Sequence, residues 1–186
     1  AYSRGDSDLD ILRRAYEKMN NVLAEEWAGR AEDLPYETPY EALIMASIIE
    51  RETGVPEERQ DIAGVFVRRL QRGMRLQTDP TVIYGMGDAY EGRITRRDLR
   101  THTPYNTYRI SGLPPTPIAL PGRAAIHAAV HPAEGDTYYF VARGDGSHKF
   151  SRTLEDHRRA VREYQLNRRD DYRSWPAPDN GDEGTE

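Results

Sequence analysis

The stretch TPYEALIMASIIERETG, residues 38–54, reads as one helix with both of its ends written into it. Thr38 is a cap, Pro39 suits the first helical position, and Glu41 stands where its carboxylate can reach back to the cap. Gly54 supplies the stop. Between them Met45, Ile48 and Ile49 form one apolar stripe, and the next position on that stripe is Glu52. A carboxylate therefore ends an apolar helix face. Burial there raises its pKa, and the negative end of the helix dipole acts in the same direction. A carboxylic acid still protonated near neutral pH is what general acid catalysis requires. The same position also suits a glutamate that reaches solvent at a helix end and pairs with an arginine. Glu50 lies about 200° around the helix from Glu52, so the two cannot flank one scissile bond as acid and nucleophile. Its own ridge holds Leu43, Ala46 and Ser47, which favours a structural carboxylate and leaves Glu50 a secondary candidate.

Working outward, Ser7 and Asp10 form an acidic variant of the capping box. Ile11, Leu12, Ala15, Tyr16, Met19 and Leu23 then repeat at helical spacing to about Trp27. Pro56 opens a further helix with Ile62, Val65, Phe66 and Leu70 on its buried side, ending at Gly73. Asp79-Pro80 caps a short helical turn that ends in Gly85-Met86-Gly87, and Thr95 with Asp98 repeats the acidic box. The segment Gly112 to Gly122 carries prolines at 114, 115, 117 and 121, and reads as an extended loop without ladder partners. Pro121 opens an Ala-rich helix that Pro132 ends. Thr137 to Ala142 is β-prone, Gly144-Asp-Gly146 is a turn, and His148-Lys-Phe150 is the return strand. Thr153 and Asp156 cap a last helix to about Arg169. The sum is a helix-rich α+β domain over residues 1–173 with a small β-hairpin. Residues 174–186 form an acidic tail that is expected to be disordered.

Composition removes several functions. The chain has 186 residues, 26 basic against 31 acidic, and a net charge of −5. No basic excess exists to neutralise phosphates, so nucleic acid is not an expected partner. There is no cysteine, which excludes disulfides, thiolate catalysis and Cys-based zinc sites. The longest apolar run, Ala42 to Ile49, has eight residues, far short of the roughly 20 that span a bilayer. The start at Ala1 suggests the soluble part of something longer. His127 and His131 are spaced i, i+4, but no acidic partner stands near them in sequence, so no metal site and no cofactor are expected. Nucleophilic serine, P-loop and dinucleotide signatures are absent. Short polar groups gather instead at Gln77-Thr78-Asp79-Pro80-Thr81. Tyr84, Tyr105, Asn106, Thr107 and Tyr108 add aromatic faces and amide donors, a mixture that suits sugars.

The runs ASIIERETG (46–54), VFVRRLQRGMRLQTDPTVIYGMG (65–87), YNTYRISGLPPTPIALPG (105–122) and AAVHPAEGDTYYFVARGDGSHKFSRTLEDH (128–157) resemble the YceG-like endolytic murein transglycosylases. The likeness covers nearly all of residues 8–165. It implies a lysozyme-like catalytic domain, preceded in the family by an inner-membrane anchor and a small LysM-like domain. It also implies a periplasmic location, peptidoglycan glycan strands as substrate and cell-wall synthases as partners. The Ile-x-Arg-Glu-Thr run around Glu52 is similar to the helix end of goose-type lysozymes and other lytic transglycosylases, which assigns the catalytic acid to Glu52. Gln77, Asp79, Tyr84, Tyr105, Asn106 and Thr107 are then expected to line the cleft. One departure is visible at Thr116, where the family commonly has glycine. A lysozyme-type hydrolase, with Asp79 as second carboxylate, and a non-catalytic glycan-binding module remain alternatives at this point.

Overall fold

The computed structural model describes residues 7–166 of the chain. Helix α1 spans Asp8–Ala28, α2 Pro39–Glu52, α3 Arg59–Gln71, α4 Asp79–Met86, α5 Arg123–Val130 and α6 Leu154–Val161. Strands β1 (Tyr139–Ala142) and β2 (His148–Ser151) form an antiparallel hairpin, with Tyr139 opposite Ser151 and Ala142 opposite His148. The expected helix-rich α+β domain with one small hairpin is what the chain adopts.

Helix α2 is the centre. The Thr38 hydroxyl accepts from the Glu41 amide, and the Glu41 carboxylate accepts from the Thr38 amide in return. Beyond the cap, α2 is buried nearly all round rather than along one stripe: Ala42, Ile44, Met45, Ala46, Ser47, Ile48 and Ile49 are all inside. A helix apolar on every face has to be surrounded, and α1, α3, α4 and α5 pack around it. Phe66 and Ile62 from α3 and Ile126 and Val130 from α5 complete the core.

Several boundaries differ from the expected ones for physical reasons. Pro56 opens only a 3₁₀ turn, Pro56–Glu58, before α3 begins at Arg59. Thr78, not Asp79, is the N-cap of α4, which places Asp79 and Pro80 in the first turn. Pro121 stays outside α5, whose N-cap is Gly122. Helix α2 ends at Glu52 because Thr53 turns extended, so Gly54 is not its stop. Helix α6 runs on into a π-helical turn, Arg162–Leu166. The expected continuation to Arg169 and the acidic tail 174–186 lie outside the described residues. No helix among the described residues is long and apolar enough to cross a membrane.

The segment from Gly112 to Gly122 is irregular, as its prolines require. Two side chains of α2, one turn apart, hold its far end. The Ser47 hydroxyl accepts from the Ile118 amide at 2.9 Å, and the Glu50 carboxylate accepts from the Gly122 amide at 3.0 Å.

Candidate active site

Glu52 is the last residue of α2. It is partly buried, and the Thr78 hydroxyl donates to its Oε1 at 3.2 Å. Burial pushes its pKa up to about 8, with the neighbouring Asp79 carboxylate adding to the rise and the Thr78 hydrogen bond opposing it. A carboxyl with that pKa keeps its proton at pH 7 and can deliver it. Glu50, two residues earlier, faces the other way and is bound to the Gly122 amide. Its contact is structural.

The residues in front of Glu52 come from the start of α4. Gln77, just ahead of the helix, has φ +55°, a conformation that costs a non-glycine residue free energy and persists only when its neighbours enforce it. The enforcement is visible. Arg69, buried on α3, donates to the carbonyls of Arg75 at 3.1 Å and Leu76 at 2.6 Å, and to that of Tyr138, just ahead of β1, at 2.7 Å. On the other side the Gln77 amide donates to the Thr107 carbonyl, and the Thr78 amide donates to Thr107 Oγ1 at 3.1 Å. Gln77 is thus clamped from before and after, with its side chain exposed.

Asn106 and Thr107 are brought to this place, but they are buried, at 1% and 0% exposure. The Asn106 amide donates to the carbonyls of Asp98, Leu99 and Thr101, and its oxygen accepts from the Tyr108 amide. Thr107 Oγ1 sits 2.8 Å from Thr81 Oγ1. Both are therefore fasteners of the loop, where the sequence suggested cleft-lining groups; an Asn with every donor engaged has none to offer a ligand.

Two residues that the sequence named in its polar and aromatic clusters, but did not assign to the cleft, matter more. Thr78 is the direct partner of Glu52. Tyr108 donates its hydroxyl to Asp79 Oδ1 at 2.7 Å, and its own pKa is raised by burial and by the Asp79 charge. Residue type marked both as polar or aromatic members of these clusters; their partners, Glu52 and Asp79, lie 26 and 29 positions away and could not be read from sequence.

Tyr84 and Tyr105 form the aromatic edge, with ring centroids 4.8 Å apart and planes tilted by 58°. Tyr84 is 46% exposed, while the Tyr105 hydroxyl is paired with Thr116 Oγ1 at 2.8 Å. The departure at Thr116 thus supplies a partner for a tyrosine of the site. Gly85 allows this packing, since a Cβ there would stand 2.7 Å from Thr103 Oγ1 and 3.2 Å from Tyr105 Cβ. Gln77, Asp79 and Tyr84 are the solvent-facing groups of the set.

Comparison with known proteins places this arrangement in a family. The profile of the YceG-like family matches residues 1–163. A Bacillus subtilis protein named endolytic murein transglycosylase is 38% identical over 159 residues, which cover 86% of this chain and 44% of the relative. A Streptococcus pneumoniae protein of the same name is 36% identical over 132 residues, 68% of this chain and 24% of the relative. The chain thus spans less than half the length of these relatives. The crystal structure of a YceG-like protein from Listeria monocytogenes superposes with a TM-score of 0.62 at 39% identity, over 76% of this chain and 42% of that one. Match, relatives and fold agree, and the chain belongs to the YceG-like family.

Proposed function

We propose that the domain is an endolytic lytic transglycosylase that cleaves the MurNAc-β-1,4-GlcNAc bond of peptidoglycan strands and leaves 1,6-anhydroMurNAc ends, in the service of cell-wall assembly. The observation that carries the reading is the Glu52 carboxyl, kept protonated at neutral pH by burial and by Asp79. The names of the relatives support the substrate class.

In this mechanism Glu52 gives its proton to the glycosidic oxygen as the bond to C1 breaks. The substrate's own N-acetyl group assists at C1, a recognised exception to the two-carboxylate scheme. Glu52, now anionic, takes the proton of the MurNAc C6 hydroxyl, whose oxygen closes on C1. The proton borrowed in the first step is returned in the second, and no water is consumed. A nucleophile inside the same sugar has a high effective concentration and outruns solvent. Asp79 acts on Glu52 through its charge, oriented by the Tyr108 hydroxyl. Gln77 and Tyr84 offer an amide and a ring face to the sugar, Tyr105 backs Tyr84, and Asn106 and Thr107 hold the loop. By family resemblance the domain faces the periplasm from an inner-membrane anchor outside this sequence and works beside cell-wall synthases.

Mass spectrometry of purified peptidoglycan digested by the domain tests the reading. Anhydro ends are about 18 Da lighter than hydrolysed ends, by the one water that the internal nucleophile displaces. Reducing ends instead mean a lysozyme-type hydrolase with Asp79 as second carboxylate, and no cleavage at all means a binding module. On strands of defined length, mid-length fragments appear early; steady release of disaccharides from one end defeats the endolytic part.

A further inference from the structure

We propose that Glu26, His127 and His131 form a binding site for a divalent transition-metal ion bridging α1 and α5. The two histidines share a face of α5 one turn apart, with ring centroids 4.4 Å apart. The acidic partner that the sequence did not offer nearby arrives from α1: Glu26 Oε2 lies 2.8 Å from His127 Nδ1, across 101 positions of chain. One ligand atom from each of the three residues lies within 4.8 Å of the others.

Three features make this more than an ion pair. The Glu26 side chain is 12% exposed, so its carboxylate is held largely out of solvent between α1 and α5. Arg123 donates to its Oε1 at 2.8 Å, and also to Glu25, which fixes the carboxylate with Oε2 turned to the histidines. Such an outer partner orients ligands in known metal sites. The His131 ring takes part in no hydrogen bond among the described residues, so a ring nitrogen is available.

Two imidazoles and one carboxylate suit zinc, cobalt or nickel rather than calcium or magnesium, which prefer oxygen. Bonds of about 2.1 Å in a tetrahedron place ligand atoms about 3.4 Å apart, and rotation of the half-exposed His127 side chain draws the set in. Three protein ligands leave a fourth position for water. The ion would staple the C-terminal part of α1, where Val22 and Leu23 are its buried residues, to a helix of the core. The role is structural and separate from Glu52.

The test uses the untagged chain, stripped with chelator and titrated with cobalt chloride, then with zinc chloride in competition. One equivalent of cobalt binds with the visible absorption of a tetrahedral site, zinc displaces it, and the melting temperature rises to a plateau with zinc. Glu26→Gln, His127→Gln and His131→Gln each weaken binding at least about tenfold, since even an outer-shell partner is worth that much. Transglycosylase activity of these variants without metal stays at the wild-type level. Absence of saturable cobalt binding overturns the proposal, and so does wild-type affinity in the His127→Gln and His131→Gln variants. The half-exposed His127 can be changed without disturbing the core, so a folding failure of another variant does not block the decision.

Discussion

In the proposed mechanism a single proton on Glu52 couples activity to stability. Glu52→Gln keeps size and packing but has no proton to give, so the rate falls by at least about 10²–10⁴, with the circular dichroism spectrum unchanged. The carboxyl titrates near 8 in the fold against 4.5 for an ordinary glutamate. Between those values the folded chain retains a proton that the unfolded chain has released, so this group's contribution to stability declines as pH rises through the window. The Gln variant escapes that loss. Its melting temperature matches wild type near pH 4.5 and lies several degrees above it beyond pH 8, which thermal scans at the two ends will check. The proposed mechanism requires the same proton, so the alkaline limb of the pH–rate profile is expected near pH 8. Asp79→Asn removes the like charge that helps to raise Glu52, and moves that limb to lower pH; a limb that stays in place would show that Asp79 does not set it. Glu50→Ala has a different signature. It loses the acceptor of the Gly122 amide and about 1 kcal/mol of stability, while turnover per folded molecule holds.

Helix α4 shows how an element carries a site without being large. Its eight residues lie against the 103–108 loop through Gly85, and the approach leaves no space for a side chain. Gly85→Ala forces Thr103 and Tyr105 aside. It costs about 1–3 kcal/mol, as overpacking does, and separates Tyr84 from Tyr105, so KM rises along with the loss of stability. Differential scanning and substrate titration measure the two effects. The elements themselves were largely legible in the sequence because their signals are local: Thr38 and Glu41 are three residues apart, and so are Ser7 and Asp10. Glu52 was legible for the same reason, as the last member of a helical stripe. Asn106 and Thr107 were misjudged because polarity marks a residue that needs partners, and it does not say whether those partners are backbone or ligand. The contacts that finish the site, Tyr108 to Asp79 across 29 positions and Arg69 to Tyr138 across 69, leave no periodic trace for a reader of sequence.

On the scale of the whole molecule, the hairpin is part of the site although it contributes no residue to it. His148 is clasped twice by the Glu58 carboxylate, through its amide at 2.8 Å and its ring at 2.6 Å, which fixes β2 to the turn ahead of α3. Phe140 meets Phe66 of the core edge-on at 5.6 Å. A chain ending at Pro132 keeps α1 to α5 and every residue named around Glu52, yet it loses the carbonyl of Tyr138. Arg69, whose guanidinium is held by the backbone carbonyls of Arg75, Leu76 and Tyr138, is then a buried cation lacking one of its partners. Such a truncation gives a poorly ordered protein with no cleavage activity; activity in it would show that the hairpin is dispensable.

The Arg69 clamp also has a consequence for the order in which the protein is made. A ribosome delivers Glu52, Thr78 and Asp79 well before Tyr138 and the strand β1 that follows it. Until that strand emerges, the guanidinium that bends the backbone ahead of Gln77 lacks its opposite anchor. The nascent chain thus holds the groups proposed to cut before it holds their arrangement, and the proposed site stays unassembled until the residues around Tyr138 have been synthesised.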